Sequence, residues 1–254
     1  RKKGETAKAD EYVSVRDGIK KGLLKTLKRF DGLYAETKTL KQKLGALGLD
    51  NVSVVPNCKN LEILAKDELV YQSGEPLKLC TFSRVMKEKG IEDAANAVKA
   101  VNEKAGRIIY TLDIYGQVDS GEKEWFENLE NGFPEYVKYK GEVGYDKSTE
   151  VLKNYFALLF PTRFYTEGIP GTIIDAYAAG IPVISAKWES FSDMVDEGVT
   201  GFGYEMGDVS GLTRQLVAMA EDPETLNKMK SDCLKKSRDF TPQSALKNLI
   251  GNLI

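Results

Sequence analysis

Histidine is absent from this 254-residue chain. A Ser-His-Asp triad, a Cys-His pair and His-ligated zinc or iron are therefore outside its own chemistry. Cysteine is scarce. Cys58, Cys80 and Cys233 are far apart, odd in number and without metal-ligand spacing, which leads us to expect a reduced, cytosolic chain with buried or inert thiols. No run approaches the roughly 20 apolar residues that cross a bilayer, and no apolar segment near Arg1 resembles a signal peptide. Charge of either sign is also unremarkable: the net value is −2 with 29% charged residues, the composition of an ordinary soluble protein. Gly116-Gln-Val-Asp-Ser-Gly121 has the glycine spacing of a P-loop, but Glu122 follows where Lys is required, so it is not one.

What is present is a patterned chain. At 42% hydrophobic it can bury a sizeable core, as one large or two small domains. From residue 77 onward, short apolar runs alternate with amphipathic stretches. The pattern predicts strands over 77–82, 108–115, 136–139, 157–160, 181–185 and 201–204. Helices are predicted over 90–102, 123–129, 149–155, 172–179, 191–196 and 209–220. Asp222-Pro223-Glu224 then restarts the chain into a helix over 226–239, and 242–254 reads as a closing helix. Repeated β-α units argue an α/β fold with a Rossmann-like parallel sheet flanked by helices. Ligands of such sheets sit beyond the carboxyl ends of the strands, where the loops after Phe82, Tyr115, Tyr139 and Phe160 fall.

The first 60 residues differ. Residues 1–43 hold 13 Lys/Arg against 6 Asp/Glu, a balance of +7. Over 15–30, Ile19, Leu23, Leu24, Leu27 and Phe30 recur at helical spacing with lysines between them. Two readings fit this stretch: a solvated helix face against a core, or a basic helix that touches anionic lipid or an acidic partner. A strand over 32–35, a helix over 39–47 and a strand over 52–55 follow.

Chemistry concentrates in two segments. In the first, strand 157–160 runs into a loop with Glu167, Gly168-Ile-Pro-Gly171 turns the chain, and a helix opens near Thr172 with Asp175 in its first turns. A glycine-opened helix N-terminus offers free N–H groups and the positive end of the dipole to a phosphate or sugar oxygen. With an acid on either side to grip hydroxyls, the combination points to a nucleotide-sugar. The same acids also suit plain complementation of the helix dipole, and Gly-Ile-Pro-Gly also suits a plain turn. In the second segment, Arg84 and Lys89 follow strand 77–82 five residues apart. A planar guanidinium and a compact ammonium together neutralise a diphosphate, although the two are also ordinary surface cations in a chain with 36 of them. Tyr139-Lys140-Gly141-Glu142-Val143 reads either as a strand end with a turn or as a ligand-lining edge.

Glu167-x7-Asp175, with its embedded Gly-Ile-Pro-Gly and trailing Ala-Tyr-Ala-Ala-Gly-Ile-Pro-Val, resembles the Glu-x7-Glu signature of retaining glycosyltransferases of the GT-B fold. Family 4, "glycosyl transferases group 1", is the specific resemblance. Ser83-Arg84-x4-Lys89-Gly90 resembles that family's Gly-Arg-x4-Lys-Gly motif, and Val52-Ser-Val-Val-Pro-Asn57 resembles the segment that closes its N-terminal acceptor domain. Asp175 stands where Glu is usual, one methylene shorter, and Ser83 stands where Gly is usual.

The resemblance implies a remnant of the acceptor domain over 1–57, a linker over 58–76, a donor-binding domain over 77–240 and a C-terminal closing helix over 241–254. It suggests a truncated or cleaved piece, or one half of a split enzyme, inactive alone. It implies that Arg84 and Lys89 bind the donor diphosphate and that Gly168, Ile169, Pro170, Gly171 and Thr172 supply the phosphate and sugar with backbone N–H groups. Glu167 would contact the transferred sugar, Asp175 the ribose, and the backbone of Tyr139, Lys140 and Gly141 would lie along the base. The implied reaction is metal-independent hexosyl transfer with retention, from a nucleotide-diphosphate-sugar, UDP-sugar first, with no cofactor. The absence of any Asp-x-Asp pair agrees with a metal-free site. The implied acceptor is a saccharide or lipid-linked sugar of polysaccharide, capsule or glycolipid assembly, with no nucleic-acid partner. The implied location is the cytoplasm, with peripheral contact at the inner face of the membrane through residues 1–43. Two other readings stay open: a donor-binding module that needs a partner domain, and an epimerase or phosphorylase on the same fold.

Overall fold

The computed structural model describes residues 21–251. The expected helix over 15–30 begins outside the described residues; within them, residues 21–27 are helical (α1). A small unit follows: β1 (Leu33–Ala35), α2 (Lys38–Ala46) and β2 (Val52–Val54). β1 and β2 pair in parallel, Leu33 opposite Val52 and Ala35 opposite Val54. Its core is small, with Ala35, Leu49 and Val52 buried and Leu24, Leu27, Leu33 and Leu44 packed around them.

The larger unit is a six-stranded parallel sheet: β3 (Leu77–Phe82), β4 (Tyr110–Tyr115), β5 (Val137–Gly141), β6 (Ala157–Phe160), β7 (Val183–Lys187) and β8 (Gly201–Glu205). Their order is β5-β4-β3-β6-β7-β8. This is the doubly wound arrangement, with the order reversing between β3 and β6. The intervening helices are α3 (Ile91–Ala105), α4 (Lys123–Glu130), α5 (Ser148–Leu152), α6 (Gly171–Ala178) and α7 (Phe191–Met194). The helices α8 (Val209–Glu221), α9 (Glu224–Ser237) and α10 (Pro242–Gly251) close the chain. Right-handed crossovers put α3 and α8 together on one face and α5, α6 and α9 on the other. Burial on both faces explains the near-continuous apolar strands, with Leu79, Leu112, Leu158 and Ile184 wholly inaccessible.

Ends account for most departures from the expected elements. β4 begins at Tyr110 rather than at residue 108, because the Asn102 side chain takes the Ile109 and Tyr110 amides at 2.9 and 3.0 Å and holds the strand's approach as a loop. α9 begins just after Pro223, which stands at the N-cap. The expected closing helix is α10, and residues 252–254 lie outside the described residues.

Residues 58–76 pack onto the larger unit. Leu64 and Leu69 bury against Leu234 of α9, and the Leu64 amide bonds the Ala178 carbonyl at 2.9 Å. Among the described residues no helix is long and apolar enough to cross a membrane.

Candidate active site at the sheet switch point

Because β3 and β6 are neighbours whose chains leave in opposite directions, the loops after Phe82 and Phe160 part and leave a crevice. Both chemistry-bearing segments start there. The β3 loop turns at Gly90, whose φ of +68° is a left-handed conformation. A Cβ at Gly90 would lie 1.9 Å from the Pro161 carbonyl oxygen, so only glycine lets the two loops touch. The Arg163 amide then bonds the Glu88 carbonyl at 2.8 Å, and its guanidinium grips buried Asp93 of α3 with two bonds of 2.8 and 2.6 Å.

This clamp brings Lys89 and Glu167 together. They form a largely buried ion pair, and Thr162 Oγ1 donates to the same Glu167 oxygen at 3.1 Å. Lys89 Nζ also lies 5.8 Å from the centre of the Phe160 ring. Arg84, the other cation of that loop, is brought elsewhere. Its guanidinium is mostly exposed and 3.7 Å from Asp119, on the loop after β4.

The Gly168–Gly171 turn leads directly into α6, and Thr172 Oγ1 donates to the Phe82 carbonyl, fixing the helix start to the end of β3. Across the crevice, the Glu36 carboxylate from the β1–α2 loop accepts the Ile169 amide at 3.2 Å. A Cβ on Gly168 would meet that carboxylate at 2.1 Å, so this glycine admits the close approach. Pro170 stands at the N-cap of α6 with extended backbone.

Next to this turn is a cavity of about 370 Å³ between the ends of β3, β4 and β5 and the start of α6. Lys59, Phe82, Gly116, Glu142, Tyr145 and Asp175 are among its lining residues. Asp175 is 4% exposed. Burial pushes its carboxyl up from the ordinary range, and Lys59 works against that by hydrogen bond and charge. The Lys59 ammonium donates to its two oxygens at 2.5 and 2.7 Å.

Tyr139, Lys140 and Gly141 sit beside this cavity, whose lining begins at Glu142 and Val143. The Tyr139 ring packs edge-on against Phe126, and its hydroxyl donates to the Gly116 carbonyl at 2.9 Å. Gly141 accepts the Gly116 amide at 2.9 Å. Lys140 points to the opposite side of the sheet and lines a separate cavity with Lys78, Asp113 and Tyr155.

Glu36, Lys59, Thr162 and the Asp93–Arg163 clamp escaped the sequence reading. Lys59 and Asp175 lie 116 residues apart, and Glu36 and Ile169 lie 133 apart, so no local spacing marks them. The one available signal was Pro56-Asn57: the Asn57 amide group donates to the Ile169 carbonyl at 3.0 Å and carries the next residues into the crevice. Among the described residues, no three of His, Cys, Asp and Glu gather to hold a metal ion.

Comparison with known proteins gives the family and the fold. The amylovoran biosynthesis glycosyltransferase AmsK of Erwinia amylovora is 23% identical over 151 residues, covering 58% of this chain and 37% of that protein. The sulfoquinovosyl transferase SQD2 of Arabidopsis thaliana is 25% identical over 185 residues, covering 70% of this chain and 33% of its own length. The chain thus spans about a third of the length of these curated relatives. Among solved structures, Anabaena Alr3699/HepE in complex with UDP and glucose superposes with a TM-score of 0.75 at 18% identity, over 92% of this chain and 66% of that one. This likeness shows a shared GT-B fold. The family profile described as "Glycosyl transferases group 1" matches residues 76–222, which takes in β3 through α8 and both crevice loops. This chain belongs to the glycosyl transferases group 1 family.

Proposed function

We propose that this chain forms the donor side of an enzyme that transfers a sugar from a nucleotide-diphosphate-sugar, a UDP-sugar first, to a saccharide or lipid-linked acceptor. The observation that carries the reading is the meeting of Lys89, Glu167 and the Gly168–Thr172 turn at the switch point, beside a cavity walled by Asp175. A carboxylate, that of Glu36, already takes the Ile169 amide, which supports this turn as a seat for anionic oxygen.

In this reading the nucleoside lies in the cavity with its ribose towards Asp175, and the diphosphate crosses the start of α6. The sugar then lies near Glu167. Transfer proceeds with retention and without a metal: the bond from the anomeric carbon to the phosphate oxygen breaks, the acceptor oxygen bonds to that carbon on the same face, and its proton passes to a donor phosphate oxygen. Lys89, Arg84 and the helix start stabilise charge on the departing diphosphate. Polysaccharide or glycolipid assembly is the setting of this proposal, and the name of AmsK, a glycosyltransferase of amylovoran biosynthesis, supports a biosynthetic role. A cytoplasmic location with peripheral membrane contact through the basic residues 1–43 is part of the same proposal. In a second form of the proposal, the donor site works with an acceptor-binding part outside residues 1–254, the chain spanning about a third of the length of its curated relatives.

Calorimetric titration with UDP, GDP and ADP tests the proposal. Saturable binding of one diphosphate is expected, weakened at least tenfold in an Arg84→Ala/Lys89→Ala variant. Equal binding by that variant would remove these cations from the donor site.

A further inference from the structure

Lys59 lies in none of the segments that suggested chemistry, yet it lines the cavity. Its backbone is fixed on both sides: the Lys59 amide bonds the Phe240 carbonyl at 3.0 Å, and Asn57 is tied to Ile169. The side chain passes across the start of α6, with Cδ 3.6 Å from where a Cβ on Gly171 would stand. Its ammonium therefore lies beside the same helix N-terminus that the diphosphate would cross.

Charge makes this placement matter. The residues lining the cavity include two acids, Glu142 and Asp175, and a single cation, Lys59. Arg84 faces Asp119 and Lys89 faces Glu167, so neither offsets the acids within the cavity. A diphosphate whose nucleoside fills this space would meet negative walls unless Lys59 meets it first. The ammonium has three protons and gives two bonds to Asp175, which leaves one donor for a phosphate oxygen. The side chain is 28% exposed, so that donor is within a ligand's reach.

Resting on the donor-site reading above, we propose that Lys59 is a phosphate-binding residue of this site, bridging Asp175 on the ribose side to the diphosphate of the nucleotide. Asp175 and Lys59 then act as one unit: the carboxylate aims the ammonium, and the ammonium carries the charge that the ligand needs.

The competing role is neutralisation of a buried carboxylate, and a double variant separates the two. In Asp175→Asn the charge to be neutralised is gone. If Lys59 touches phosphate, Asp175→Asn/Lys59→Met should bind the nucleoside diphosphate at least tenfold more weakly than Asp175→Asn alone. Affinity for the bare nucleoside should stay within twofold. The probes are UDP, UMP and uridine, or the guanosine or adenosine series if the wild-type chain binds that diphosphate. Equal diphosphate affinity in the single and double variants overturns the proposal.

A measurement on the wild-type chain guards against misfolded variants. Acetylation of Lys59, followed by mass spectrometry, should slow at least fivefold with saturating UDP and UMP but not with uridine. Protection by none of them, or by uridine equally, overturns the assignment. Wild-type chain that binds no nucleoside diphosphate overturns the donor-site reading and the Lys59 proposal together. Binding that is indifferent to Lys59 overturns only the latter.

Discussion

The two walls of the crevice are built in opposite ways. One is the end of a sheet whose central strands β3 and β6 are buried on both faces, and its loops are locked by Gly90 against Pro161 and by Arg163 on Asp93. The other wall is the β1–α2–β2 unit, which buries three apolar residues of its own. Many of its contacts with the first wall are polar. Asp193 of α7 accepts the Lys38 and Thr39 amides at 3.2 and 2.9 Å, capping α2 from outside, and Ser190 bonds Thr37 at 3.1 Å. Lys43 pairs with Glu189, and Glu36 reaches Ile169. Apolar packing is tightly shape-dependent, whereas each polar bond, formed in exchange for bonds to water, adds a small net stability. The comparison teaches that the sheet wall is preformed and that the facing wall is latched.

Breaking the rigid wall should produce the largest effect. Gly90→Ala places a side chain into a carbonyl and a left-handed backbone conformation, and the two costs sum to about 2–5 kcal/mol of stability. Urea unfolding followed by circular dichroism measures it. Stability within 1 kcal/mol of wild type would mean that the loops are not locked there.

Next comes the chemistry on that wall. In a preparation that transfers sugar, Lys89→Ala should lower kcat/KM by a factor worth about 3 kcal/mol, the scale of losing one preorganised charge donor. Arg84→Ala should cost less, because its side chain is 62% exposed and loosely paired. Steady-state rates with matched donor check the order, and unchanged turnover in Lys89→Ala would remove that residue from the mechanism.

The core behind the site supplies a pH test. Lys230 of α9 is fully buried, its ammonium donating to the Tyr155 carbonyl at 3.2 Å. Burial lowers its pKa from 10.5 to about 8. Below pH 8 the lysine is charged in both folded and unfolded chains, and the burial cost is present in full. As pH rises from 8 to 10.5 the folded chain sheds the proton first, so stability rises relative to Lys230→Met by roughly 3 kcal/mol. Burial pushes the neighbouring thiols of Cys80 and Cys233 up, an opposite trend, and both thiols feel the Lys230 charge, so the comparison is made in a Cys80→Ala/Cys233→Ala background. A flat difference across that range would contradict the assignment.

The smallest effect should come from the latched wall. Asp193→Ala removes the external cap of α2 and should weaken that unit by about 1 kcal/mol. Hydrogen exchange should then quicken in residues 33–54 and not in β3 or β6. Faster exchange in both would mean that the two walls unfold as one.

Much of the rigid wall was legible in the sequence. Short apolar runs mark β3, β6 and β7 because strands buried on both faces need no alternation. The Gly168–Gly171 turn and its acids were legible for the same reason: a turn and a helix start are local chemistry. Element ends were less so, as at Asn102, whose side chain defers the start of β4. The least legible residues were those that meet only through folding. Nothing near Lys59 in the chain announces Asp175, and nothing near Glu36 announces Ile169. Arg84 and Lys89 read as one motif, yet the fold sends one to Asp119 and the other to Glu167.

The most direct test of a preformed donor side is titration of this chain, without any added acceptor part, with UDP, GDP and ADP. The account expects saturable, single-site binding of one of the three, weakened at least tenfold when Arg84 and Lys89 are both replaced by alanine. Failure of all three to bind a chain that unfolds cooperatively would contradict it.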